Sequence, residues 1–185
     1  MIKVFEENKL YSFKSKFKVE LKATFYNLLF LFLKNREKVL LIKYNHSNTY
    51  QKLLDIISAE KLSENVIDNF KLTQIELYNK SLMATFDIIK QLGESVDKIF
   101  IEKPNVENGY KYFDFLRELN KSVYVLPNED NSELSKHSDY VVKIDRVSNS
   151  ESAENFVLTC ESENTKQNYD ITFINHCLLK LKDNI

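Results

Sequence analysis

Glycine is nearly absent from this chain: Gly93 and Gly109 are the only two in 185 residues. Loops that wrap a phosphate with backbone N–H groups need glycine, because its missing Cβ lets the chain approach the anion. Gly93 follows the apolar stretch IIKQL and reads as a helix C-cap, and Gly109 lies in a loop after Pro104. Neither belongs to a glycine-rich turn, so phosphate-loop catalysis is disfavoured by composition alone. Arginine is also scarce, at three positions (Arg36, Arg117 and Arg146) against 23 lysines, which leaves few sources of bidentate anion recognition. Cys160 and Cys177 sit in apolar contexts without metal-ligand spacing and read as buried free thiols of a reducing compartment, cytoplasmic or nuclear. His46, His137 and His176 are too dispersed for a metal site. The longest greasy run, FYNLLFLFL (Phe25 to Leu33), is about half of the roughly 20 residues a membrane span needs, and MIKVFEENK has no apolar signal core. Metal, cofactor and membrane are accordingly not expected.

What is present is a core. Hydrophobic residues make up 43% of the chain, enough for a folded domain, and the length suits a single domain over residues 1–185. The net charge of −1 confines any nucleic-acid binding to a local patch.

Hydrophobic periodicity gives an alternation of elements. Leu10 to Ser15 reads as a strand, and Leu21 to Asn35 as a helix. KVLLIKY (Lys38 to Tyr44) is a continuous apolar run, as in a strand buried on both faces. Asn48 to Lys61 reads as a helix, Ile67 to Leu72 as a short strand, and Gln74 to Leu92 as a helix. KIFIEK (Lys98 to Lys103) and SVYVL (Ser122 to Leu126) are further buried strands, with an amphipathic helix at Tyr110 to Leu119 between them. This repetition argues a parallel sheet with helices on both faces. Beyond Pro127 the character changes. DYVVKID, NFVLTCES and NYDITFIN follow with only polar connections, which reads as an antiparallel meander, and VSNSESAEN and ESENTKQN read as its solvated hairpin loops.

This order resembles the RecA-like core of KaiC-type proteins and recombinase paralogs, over about Leu10 to Asn175. The resemblance implies an α/β three-layer fold, a mostly parallel sheet with antiparallel C-terminal strands. At the family's functional positions the chain departs. The best overlay on G-x-x-x-x-G-K-[ST] places Lys16 and Leu21 at the glycines, Lys22 at the lysine and Ala23 at the magnesium-binding hydroxyl, with Thr24 one place late. The catalytic glutamate falls near Asn45, and Glu102 stands where the Walker B strand would carry aspartate. The resemblance therefore implies a RecA-like protein that has lost ATP binding, like the structural subunits of the Shu complex and of Elongator. Those pair with related folds and bind nucleic acid mainly through basic loops, so the expected partners are a RecA-like homologue or a second copy, and DNA.

Two candidate sites follow. The first is SFKSKFKVELKATF (Ser12 to Phe25), at the place of a phosphate loop, with four lysines and no glycine. If extended, it presents Lys14, Lys16, Lys18 and Lys22 on one face, suited to a phosphate backbone; the same pattern also serves as a solubilising edge. The second is a polar cluster at strand ends: Asn45, His46, Glu102, Asn128 and Glu129. It reads as a small active site or as a residual polar rim, and no nucleophile–base pair or carboxylate dyad follows from its spacing. GYKYFDF (Gly109 to Phe115) could stack bases, but at helical spacing Tyr112, Phe113 and Leu116 belong to a core.

Overall fold

The protein is described here as a computed structural model covering residues 5–44, 48–77, 82–104, 109–127, 136–147, 155–174 and 178–181. Nine strands form one sheet: β1 (Leu10–Lys14), β2 (Val39–Lys43), β3 (Leu72–Glu76), β4 (Lys98–Glu102), β5 (Ser122–Leu126), β6 (Tyr140–Arg146), β7 (Asn155–Glu161), β8 (Lys166–Ile174) and β9 (Leu178–Leu181), in the order β3-β2-β4-β5-β1-β6-β7-β8-β9. Pairing is parallel from β3 through β6 and antiparallel from β6 through β9. Helices α1 (Lys18–Lys34), α2 (Thr49–Ala59), α3 (Leu82–Gly93) and α4 (Gly109–Glu118) complete the α/β architecture.

The pleat sorts the core into two layers. Val39 and Leu41 of β2 join α1 and α2 on one face, while Leu40 and Ile42 join α3 and α4 on the other. Every residue of β2 and of β5 is buried, which is why these strands read as unbroken apolar runs and not as alternations. α1 is buried nearly all round, from Leu21 to Leu33, as a helix covered both by the sheet and by its C-terminal strands must be. In-register pairing stacks Phe100 on Tyr124 (ring centroids 4.6 Å), Tyr124 on Tyr11 (5.1 Å) and Tyr11 on Tyr140 (5.1 Å). This aromatic row ties β4, β5, β1 and β6 together.

Several expectations are corrected. The helix α1 starts at Lys18, not Leu21, and β1 ends at Lys14. Residues Glu64–Asn69 form a 3-10 turn, and the third strand is Leu72–Glu76 instead of Ile67 to Leu72. Ile67 and Phe70 are drawn onto the α1–α2 core and do not pair in the sheet. Consequently Gln74 belongs to β3, and the next helix begins at Leu82. The strand of DYVVKID pairs parallel with β1 before the antiparallel strands begin, and β9 is a fourth C-terminal strand that the periodicity does not show. Gly93 closes α3 with a negative φ, since no described glycine has positive φ. Its use is close packing, because a Cβ there would meet Ile99 Cδ1 at 3.3 Å. The hairpin within ESENTKQN is present, closed by Ser162 N–H donating to Thr165 O at 2.8 Å. Most of VSNSESAEN lies outside the described residues, as do Cys177 and His176.

Candidate functional site: a lysine–glutamate cluster at the strand ends

The connection from β1 to α1 is three residues long: Ser15, Lys16 and Phe17. Ser15 is buried, and its hydroxyl donates to Ile144 O at 2.6 Å while accepting from Phe17 N at 2.9 Å. Phe17 packs edge-on against Phe156 of β7, with centroids 5.5 Å apart. The turn is thus pinned to β6 and β7 by a hydroxyl and a ring, where a phosphate-binding turn would bulge outward and expose successive N–H groups. Thr24, one place beyond the expected magnesium-binding position, is buried and donates to Glu20 O at 2.8 Å. Its hydroxyl belongs to the helix backbone.

The extended lysine face does not form. Lys14 ends β1, Lys16 lies in the connection with its Nζ 5.2 Å from the Phe17 ring centroid, and Lys18 and Lys22 are one turn apart on α1. A period of two turns into one of 3.6 at Lys18, so the alternation ends there.

Glu102, last residue of β4, is 0% exposed. Tyr26 hydroxyl donates to its Oε2 at 2.6 Å, Lys22 Nζ stands 3.3 Å from its Oε1, and Lys52 Nζ stands 3.8 Å from the same oxygen. Lys22 and Tyr26 come from one face of α1 at i and i+4, and Lys52 from the first turn of α2. Lys52 also sits 4.2 Å above the Tyr26 ring centroid, within cation–π range. Burial pushes the Lys52 ammonium down to about 7; the Glu102 carboxylate opposes this, and the nearby Lys22 and Lys43 add to it. Lys43, at the end of β2, is buried with its Nζ 3.4 Å from Glu76 Oε1.

The sheet order and this geometry can be set beside known proteins. No family model matches the chain, and no curated protein matches its sequence. Among solved structures it is similar to a DnaB-like replicative helicase described with its interactions with primase, at TM-score 0.70 and 11% identity, covering 93% of this chain and 57% of that one. The fold is RecA-like. The chain spans little more than half of that helicase chain, and at this identity the likeness is one of fold alone.

Within the RecA-like frame, the expected lysine (Lys22) and the expected acid (Glu102) are brought together, and they are spent on each other. Asn45, His46, Asn128 and Glu129 lie outside the described residues, so the polar cluster is represented only by Glu102, which is sealed beneath α1 and α2 and is not part of a solvent-facing rim. GYKYFDF supplies core: Tyr112, Phe113 and Leu116 are buried, and Phe115 stacks on Phe86 at 4.2 Å. His137 stacks on Phe113 at 5.7 Å. Among the described residues no group of histidine, cysteine and carboxylates could hold a metal ion, and no helix is long and apolar enough to cross a membrane. Tyr26 and Lys52 were not singled out in the sequence. The spacing of Tyr26 from Lys22 is a signal that could have found it, whereas Lys52 is delivered by the packing of α2 on α1 and leaves no local trace.

Proposed function

We propose that this chain is a non-catalytic RecA-like adaptor of the recombinase-paralog type, acting in DNA repair or recombination by docking on a related subunit or a second copy. The observation that carries the reading is the closed Lys22–Glu102–Tyr26 cluster beneath a three-residue, glycine-free β1–α1 turn. A triphosphate bound here would have to draw Lys22 away from a buried carboxylate and would meet a turn tied down by Ser15 and Phe17 instead of a glycine-rich loop. The helicase of similar fold is described with a partner protein, primase, and docking on a partner is carried to this chain only as part of the proposal. Lys14, Lys16 and Lys18 are offered as the nucleic-acid contact. Lys22 is the weakest member, being engaged with Glu102.

Titration with a fluorescent ATP analogue and magnesium tests the loss of the nucleotide site: no saturable binding is expected, and micromolar magnesium-dependent affinity would overturn the reading. Fluorescence anisotropy with single- and double-stranded DNA at two salt concentrations tests the lysines. Joint Lys14→Glu, Lys16→Glu and Lys18→Glu substitution should weaken binding and flatten its salt dependence; unchanged affinity removes DNA from the proposal. A scaffold without a nucleic-acid role is the second reading, favoured by the breaking of the lysine alternation at Lys18.

A further inference from the structure

The Phe17 ring carries two cations. Lys16 Nζ lies 5.2 Å from its centroid and the Arg146 guanidinium carbon 5.8 Å from the same point, so the two charges stand at most 11.0 Å apart, the sum of those distances. Arg146 also lies 5.9 Å from the ring of Phe156, its register partner on β7. Both cations sit on fixed supports. The turn that carries Lys16 is tied to β6 by the Ser15 hydroxyl and to β7 by the Phe17 ring, and Arg146 is the last residue of β6. Because β1 and β6 are parallel, the two emerge at the same edge of the sheet.

The pleat then sorts the charges. Val142 and Ile144 of β6 and Phe156 of β7 belong to the core layer beneath α1, and alternation puts Arg146 on their face. Lys143 and Asp145 take the opposite face, where Glu161 holds Lys143 at 2.7 Å. Lys14 follows them, since it is the register partner of Lys143 and shares the face of Leu10. Asp145 is thereby turned away from Arg146, although it is next to it in the chain. The first carboxylate after Lys16 along the chain is Glu20, in the first turn of α1; Glu151 and Glu154 lie outside the described residues.

We propose that Lys16 and Arg146 form a phosphate contact across the Phe17 ring, taking phosphodiester groups of one DNA strand, and that Lys14 has no part in it. The inference rests on the DNA reading above and narrows it. A guanidinium forks onto a phosphodiester through two parallel N–H donors, which a lysine cannot do. Lying against two rings, Arg146 is partly ordered before the ligand arrives, so less side-chain freedom is lost on binding. A span of at most 11.0 Å covers about three phosphates of one strand, at roughly 3.4 Å of helix axis each. Phosphate contacts carry no sequence information, so the contact is indifferent to base sequence.

Fluorescence anisotropy of the whole chain with a labelled single-stranded oligonucleotide of mixed sequence, over a series of salt concentrations, tests this. Arg146→Ala and Lys16→Ala should each weaken binding and lower the salt slope by about 1, while Lys14→Ala leaves both unchanged. Arg146→Lys should keep the slope and lose part of the affinity, because the charge stays and the fork is gone. A purely structural role for Arg146 would shift the urea midpoint of Arg146→Ala and leave its salt slope alone, which overturns the proposal. A loss in Lys14→Ala equal to that in Lys16→Ala overturns it as well. Should Arg146→Ala fail to fold by circular dichroism, Arg146→Lys and Lys16→Ala decide, and full affinity in both counts against it. Binding that is lost in the joint lysine reversal but indifferent to Arg146 refutes this inference alone. No DNA binding by the unaltered protein refutes it together with the DNA reading.

Discussion

Glu102 cannot be understood apart from its three neighbours. A wholly buried carboxylate is tolerated only when its charge is compensated, and Lys22 and Lys52 supply that charge while the Tyr26 hydroxyl donates to Oε2. Removing the acid alone strands two ammoniums, so Glu102→Ala should cost about 3–5 kcal/mol in urea unfolding. Tyr26→Phe, which loses one hydrogen bond, should cost about 1–3 kcal/mol. Joint Lys22→Met and Glu102→Leu substitution should cost less than Glu102→Ala, because it removes both charges together. Lys52 adds a pH signature. Its folded value of about 7 lies below the ordinary 10.5, so the unfolded chain binds the extra proton between those limits. The penalty from Lys52 is complete below about pH 7 and shrinks as pH rises toward 10.5. The thermal midpoint of Lys52→Met minus that of the unaltered protein should therefore fall from pH 7 to pH 10, and a difference constant with pH would refute this assignment. At this scale the sequence was legible for Lys22 and Glu102, which stand at recognisable places after recognisable strands. Tyr26 and Lys52 were hidden because their role exists only once α1 and α2 are packed.

At the scale of elements, α1 is fastened to β9 through a polar residue in its buried interior, Asn27. Asn27 donates through Nδ2 to Ala23 O at 2.8 Å and accepts at Oδ1 from Leu179 N at 3.1 Å, fastening β9 to the helix. Asn27→Ala leaves that buried N–H unpaired, so it should cost about 1–3 kcal/mol and speed amide exchange in β9 before the rest of the sheet opens. Unchanged exchange at Leu179 would sink this account. The same scale explains which elements were legible. β2, β4 and β5 announce themselves because both faces are buried, and their apolar runs are uninterrupted. β3 is an edge strand in which Leu72 and Ile75 are only half-buried and Thr73, Gln74 and Glu76 are exposed, so its sequence, LTQIE, carries no strong period. The turn of α1 at Lys18 was also hidden, since KVELK alternates as an extended strand would while its i, i+4 spacing serves a helix equally well.

At the scale of the molecule, the change from interleaved helices to consecutive strands was the most legible feature, and it matches the passage from parallel to antiparallel pairing at β6. The continuous nine-stranded sheet predicts one cooperative unit over the chain. With no tryptophan present, the ten tyrosines, among them the stacked Tyr124, Tyr11 and Tyr140, report on side-chain packing by fluorescence, and far-ultraviolet circular dichroism reports on the backbone. The two should give coincident urea transitions; separated midpoints would show that the parallel and antiparallel halves melt independently.

The place of β1 in the sheet has a kinetic consequence. Leu10 pairs with Val123 and Tyr11 with Tyr140, so β1 is seated between two strands made much later than itself. Its apolar residues, together with the all-round greasy α1 that follows, must wait until β5 and β6 are made before meeting their final neighbours. Such distant pairing slows folding and leaves a nascent chain with sticky surface. Synthesis of β5 and β6, more than the local stability of any helix, is then the step that permits β1 to be seated in the native sheet, and delayed acquisition of protease resistance at Leu10–Lys14 during translation in a cell-free system would be its mark.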